Sequence, residues 1–256
     1  MSDSKDNNNA NNSNDTKNTT ADATSPSSPE NQQGQESQQP QQAQQPQQGA
    51  GQKLDPNVAV DRAAERAKST SDKNLPAFGD LPIPDDTANL RKGPNLHDGL
   101  LALLPLVGVW RGQGQAAHPG EEEFTFGQQI IFAHDGENRL SYDSRTWRMD
   151  DDGKPLNTPD RRESGFLRIS ESDEIEMIIT HSDGMVEIMY GEPISERAWQ
   201  LESASTMATA TGPTKLGPGK RLYGLMPNND LGWVDERLID GEMVPWMSAQ
   251  LARVVG

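Results

Sequence analysis

The chain has 256 residues, a formal charge of −16, 32% hydrophobic residues and a mean hydropathy of −0.82. Taken whole, that is too polar for one compact domain of this length. The negative charge argues against nucleic acid or an anionic membrane surface as a partner. With no cysteine, a disulfide framework, a thiolate metal site and a thiol nucleophile are all excluded.

In chain order, residues 1–52 are Asn, Ser, Gln, Pro and Gly with no apolar periodicity, including the run QQPQQAQQPQQ from Gln38. Nothing there can offset the entropy of ordering, so a disordered tail is expected. No basic stretch followed by an apolar run opens the chain, and Leu100–Trp110 is too short to span a membrane. A cytoplasmic protein is the expectation. Residues 53–94 read as a linker, with a short helix over Leu54–Lys68 whose apolar face is mostly alanine. The folded domain is expected over residues 95–256. Asn95 or Asp98 can cap a turn or two of helix through Leu100, Leu101, Leu103 and Leu104, stopped by Pro105 and Gly108.

Beyond Val107 the periodicity is two. In the stretch Gly108, Val109, Trp110, Arg111, Gly112, Gln113, Gly114, the three glycines and the tryptophan share one face of a strand. Bare positions beside one large ring suit a tightly curling first strand plugged by the indole. Phe124–Ala133, Leu140–Trp147, Gly165–Ile169, Ile175–Thr180, Val186–Tyr190, Trp199–Ser203, Arg221–Leu225, Trp233–Ile239 and Met247–Val254 follow, divided by turn signals such as Asp135-Gly136, Asp183-Gly184 and Asp240-Gly241. The fold class expected is all-β: an antiparallel up-and-down barrel of about ten strands, with a short N-terminal helix, enclosing a ligand cavity.

Several segments resemble the nitrobindin family in order: GVWRGQG (Gly108–Gly114), IIFAHDG (Ile130–Gly136), RLSYDSRTW (Arg139–Trp147), ESGFLR (Glu163–Arg168), GMVEIMYG (Gly184–Gly191) and WMSAQLAR (Trp246–Arg253). The resemblance implies a barrel similar to fatty-acid-binding proteins. It also implies haem b at the mouth and isomerisation of peroxynitrite to nitrate. In the family the iron-ligating histidine stands just before the closing strand, and here that position is Trp246. An indole nitrogen donates only and cannot coordinate iron. Near the first turn His118-Pro119-Gly120 replaces the family's usual residues and is followed by Glu121, Glu122 and Glu123, while the family's haem-side lysine aligns near Thr214 and Lys215.

Haem bound in the family's usual way is therefore not expected, and the cofactor expectation is none. Met247, a thioether, and His118 are the candidate substitute ligands; strand alternation would turn Met247 away from Trp246. His97, His134 and His181 read as surface or capping residues, and no pair has metal-ligand spacing. Similar barrels pair an opening-strand Trp with a last-strand basic residue, and that resemblance implies that Arg253 stacks on Trp110. No GxSxG elbow occurs, and GPTKLGPGK (Gly212–Lys220) lacks the form of a phosphate loop. Three readings follow: a non-enzymatic barrel taking a small hydrophobic ligand, a haem-dependent peroxynitrite isomerase using a substitute ligand, and an acidic protein-interaction module. The sequence leaves the oligomeric state open.

Overall fold

The computed structural model describes residues 56–72, 82–213 and 217–256. The expected tail, residues 1–52, lies outside them. Two units are distinguished, Met1–Asn74 and Leu75–Gly256. In the first, the expected helix is found as α1, Pro56–Ala67. No helix among the described residues is long and apolar enough to cross a membrane.

The second unit opens on residues 82–94, where Thr87 and His134 exchange backbone hydrogen bonds of 2.8 and 2.9 Å. A 3₁₀ helix, Asp98–Leu106, follows. It is tighter than the predicted helical turn and runs through Pro105 to close on Val107 N–H→Leu104 O. Its cap is the His97 ring, which accepts from Gly99 N–H at 3.0 Å.

Among the described residues ten antiparallel strands then close into a barrel: β1 Gly108–Ala116, β2 Phe124–Ala133, β3 Leu140–Met149, β4 Pro155–Ile169, β5 Ile175–His181, β6 Met185–Ser195, β7 Ala198–Ala208, β8 Gly219–Leu225, β9 Leu231–Ile239 and β10 Glu242–Val255. Each strand pairs with its chain neighbours, and β10 returns to β1. The Asp240-Gly241 turn has φ of 52° and 91°, the positive pair that matches hairpin twist. β4 begins ten residues before its predicted start at Gly165. Its two prolines fit because the β3–β4 register shifts twice there, leaving the ladder irregular.

The closing seam rests on bare positions. Gly112 stands opposite Leu251, and Gly114 opposite Ala249. A Cβ at Gly112 would fall on the Gln250 carbonyl oxygen. Gly112→Ala should therefore force the seam apart and cost about 1–3 kcal/mol. Gly224→Ala, whose new methyl meets no atom closer than 3.8 Å, should change stability by less than about 0.5 kcal/mol. Equal urea midpoints for the two variants would refute the seam's close approach.

One barrel end is plugged. Leu100, Leu103 and Leu106 of the 3₁₀ helix are fully buried. Trp110 Nε1 donates to Leu106 O at 2.8 Å and Trp199 Nε1 to Ala102 O at 2.8 Å. Arg253 stacks on Trp110, its guanidinium carbon 4.1 Å from the ring centre, while donating to Val107 O and Pro105 O. The predicted stack is present, and it also clamps the helix carbonyls.

Candidate functional site

The opposite end is open. A cavity of about 660 Å³ is lined by His118, Pro119, Gly120 and Glu121 from the β1–β2 loop, Asp160 and Arg161 of β4, and Ser182 and Asp183 of the β5–β6 turn. Among the described residues Pro213, Ile239, Trp246 and Met247 also line it. That volume lies within the range of small-molecule sites.

Trp246 owes its place to a bulge. Pro245 pairs with Glu236 and Met247 with Asp235, so Trp246 is the extra residue on β10. A bulge breaks alternation locally, and Trp246 and Met247 both border the cavity. The expectation that Met247 faces away from Trp246 is thus corrected. Trp246 O accepts from Ala117 N–H at 3.0 Å, fixing the β1–β2 loop against the strand. His118 consequently lies flat on the indole, with ring centres 3.9 Å apart and planes 17° from parallel. Phe124 meets the imidazole edge-on at 5.4 Å.

His118 Nε2 and Trp246 Nε1 are both buried with no hydrogen-bond partner among the described residues. His118 Nδ1 is 3.7 Å from Glu121 Oε2. Burial pulls the His118 pKa below its usual value despite Glu121, so the ring is neutral at pH 7. A neutral imidazole with an unpartnered nitrogen can coordinate a metal. Of the predicted residues, then, the fold brings His118, Trp246 and Met247 together. Gly108 to Gly114 lie along β1, whose glycines and Trp110 serve the seam and the plugged end. Thr214 and Lys215 lie outside the described residues.

Below the mouth lies a charged interior that the sequence reading missed. Arg221 donates to Glu163 at 3.0 and 3.2 Å and to Asp235 at 3.4 Å. Arg237 donates to Glu187 at 2.8 and 3.2 Å and to Asp235 at 2.9 and 3.2 Å. Tyr142 hydroxyl donates to Glu163 at 2.8 Å, and Ser203 hydroxyl to Glu187. His181, expected at the surface, sits among them with its side chain fully buried. Burial opposes ionisation of Glu187, but His181 and Arg237 prevail and hold its pKa at about 2. Glu163 is likewise held well below the usual carboxylate range, by Arg221 first and then His181, against its burial. The signal was strand parity: counting by twos from buried Leu167, Ile179, Met189, Tyr223 and Trp233 puts Glu163, His181, Glu187, Arg221, Asp235 and Arg237 inside. His134 is also buried beside the Thr87 bridge, with neither ring nitrogen partnered among the described residues.

Residues 99–253 match the family model described as a THAP4-like, heme-binding beta-barrel domain. This chain belongs to the nitrobindin family. Its relatives include a ferric nitrobindin-like protein of Corynebacterium jeikeium, 86% identical over 204 residues spanning 80% of this chain and 96% of that one. Another is peroxynitrite isomerase 1 of Mycobacterium marinum, 48% identical over 207 residues, or 77% of this chain and 92% of that one. The crystal structure of Rv2717c from M. tuberculosis superposes with a TM-score of 0.53 at 28% identity, covering 62% of this chain and 99% of that one. The expectation of a non-enzymatic barrel is overturned by the isomerase relatives. It rested on Trp246 and on two lesser departures, the His118–Glu123 loop and the position near Thr214 and Lys215, whereas the family match extends over residues 99–253. The family's heme-binding description makes haem the cofactor class against which the mouth must be tested.

Proposed function

We propose that the mouth is a haem site in which His118 supplies the iron-facing imidazole, and that the chain carries out peroxynitrite isomerisation, the activity its M. marinum relative is named for. The single observation behind this reading is the His118 imidazole at the cavity wall, neutral and with a buried Nε2 that has no partner among the described residues. The chemistry of the donor set fits haem there, whereas the Trp246 indole offers iron no lone pair. Bound haem would supply a ferric Lewis acid for an anionic oxidant.

The chain's own residues bind and orient. Trp246 holds the His118 ring by stacking, and its carbonyl fixes the loop that carries it. Pro213, Ile239 and Met247 give apolar wall, which keeps water from a flat ligand. Arg161 presents a cation at the wall, tethered to Asp183 at 3.4 Å.

Haemin titration followed by visible absorption tests this. Wild type should give a sharp Soret band at one equivalent, and His118→Ala should weaken binding at least about tenfold, the loss expected when a metal ligand is removed. No band in wild type, with one appearing in Trp246→His, would overturn the His118 assignment.

One observation favours a second reading. Glu121, Asp160 and Asp183 put three carboxylates at the cavity, and these oppose haem propionates. A small apolar ligand stacking on Trp246 without coordination suits that rim better. Metal-free protoporphyrin binding as tightly as haemin would support this second reading over the first.

A further inference from the structure

We propose that the barrel interior holds a proton on His181 as a structural charge, and that removing this proton loosens the Ser182–Asp183 turn at the mouth.

His181 Nδ1 lies 3.2 Å from Glu163 Oε1 on β4, and Nε2 lies 3.4 Å from Glu187 Oε2 on β6. Both ring nitrogens therefore face carboxylate oxygens, at angles outside hydrogen-bond geometry. A neutral imidazole has one N–H and one lone pair, so one nitrogen would confront a carboxylate with like polarity. Only the imidazolium suits both neighbours. The interior count agrees. Arg221 of β8 and Arg237 of β9 set two positive charges against the three carboxylates of Glu163, Glu187 and Asp235. Arg161, 4.0 Å from Glu163, is offset by its own partner Asp183, so a proton on His181 makes the buried cluster neutral, as the low dielectric there requires. Tyr142 and Tyr223 stay uncharged, burial raising both hydroxyls. Burial disfavours the charge on His181, yet Glu163 and Glu187 outweigh it and raise its pKa.

The coupling to the mouth is short. Arg161 Nε is 4.0 Å from Glu163 Oε1, the same oxygen that faces His181, and Arg161 also pairs with Asp183 at 3.4 Å. With the proton gone, the excess negative charge draws Arg161 toward Glu163 and away from Asp183.

Because the folded pKa is raised, the His181 contribution is complete below its ordinary value of 6.5 and is lost as pH rises through the folded value. His118 and His134, both lowered, act in the opposite sense and only below 6.5. The range from pH 6.5 to 9 therefore isolates His181.

The experiment is ¹⁵N-histidine NMR on the full chain, with melting curves and amide exchange from pH 6.5 to 9. At pH 7.5 both His181 nitrogens should show imidazolium shifts, where a free imidazole is only about one-tenth charged. The melting temperature should fall with pH in wild type and stay flat in His181→Gln, and the protection factors of Ser182 and Asp183 should drop at least tenfold by pH 9. A neutral ring at pH 7.5 overturns the proposal, and that readout needs only wild type. A ring that is charged at pH 7.5 and loses its proton by pH 9 with protection unchanged overturns the coupling to the mouth. Neither outcome depends on what the mouth binds.

Discussion

Replacing Arg237 by alanine should lower the stability of the barrel by about 3–5 kcal/mol, the usual consequence of removing one partner from a buried ion pair. Arg237 is fully buried, and four hydrogen bonds tie it to Glu187 and Asp235. Its removal leaves two carboxylates in the interior with too little positive charge, and a cavity forms where the side chain lay. Lys220 and Glu202 form a pair at 2.8 Å, with side chains 38% and 62% exposed, and Lys220→Ala should cost no more than about 1 kcal/mol. Urea unfolding of both variants, followed by tryptophan fluorescence, provides the comparison. Matching losses would mean that the interior cluster is solvated and that its charges are not held apart from water.

The second large effect is at the plugged end. Trp110→Ala should cost about 3–5 kcal/mol, the range for a buried tryptophan truncated to alanine, which for a domain of this size is a drop of roughly 10 °C in melting temperature. Three losses coincide. The fully buried indole vanishes from the core, Leu106 O loses its donor, and the Arg253 guanidinium loses the ring beneath it. The stack by itself contributes about 1 kcal/mol, so packing dominates. Trp110 lies near the start of β1, and the mouth lies beyond the other end of that strand. Ligand binding measured below the melting point should therefore be unchanged. An unaltered melting temperature would defeat the closure role; weakened ligand binding in a folded variant would show that the two ends communicate.

Much of the site was legible because it is local. The positions of Trp246 at the closing strand and of His118 in the first loop follow from segment order, and both do border the mouth, although the strand begins at Glu242, four residues earlier than Trp246. The orientation of Met247 was not legible. Alternation predicts the outward face, but one unpaired residue between Pro245 and Met247 resets the phase, and bulges leave little trace in a single sequence. His181 was misread for a different reason: as the last residue of a strand before an Asp-Gly turn it looks exposed. Parity alone would have put it inside, had the charged residues of β4, β6, β8 and β9 been counted on the same footing as the apolar ones.

The sequence by itself determined the all-β meander, the turn positions and the bare first strand, because strand alternation and turn chemistry act over a few residues; the family and the Trp110–Arg253 pair came from the resemblance of its segments to known barrels. Only the tertiary structure decided which charges meet. Glu163, His181, Glu187, Arg221, Asp235 and Arg237 come from five different strands and become one cluster only when the barrel closes. Closure also sets His118 flat against Trp246. Both arrangements depend on long-range register, and ion pairing and burial are properties of the assembled interior that no local stretch of the chain contains.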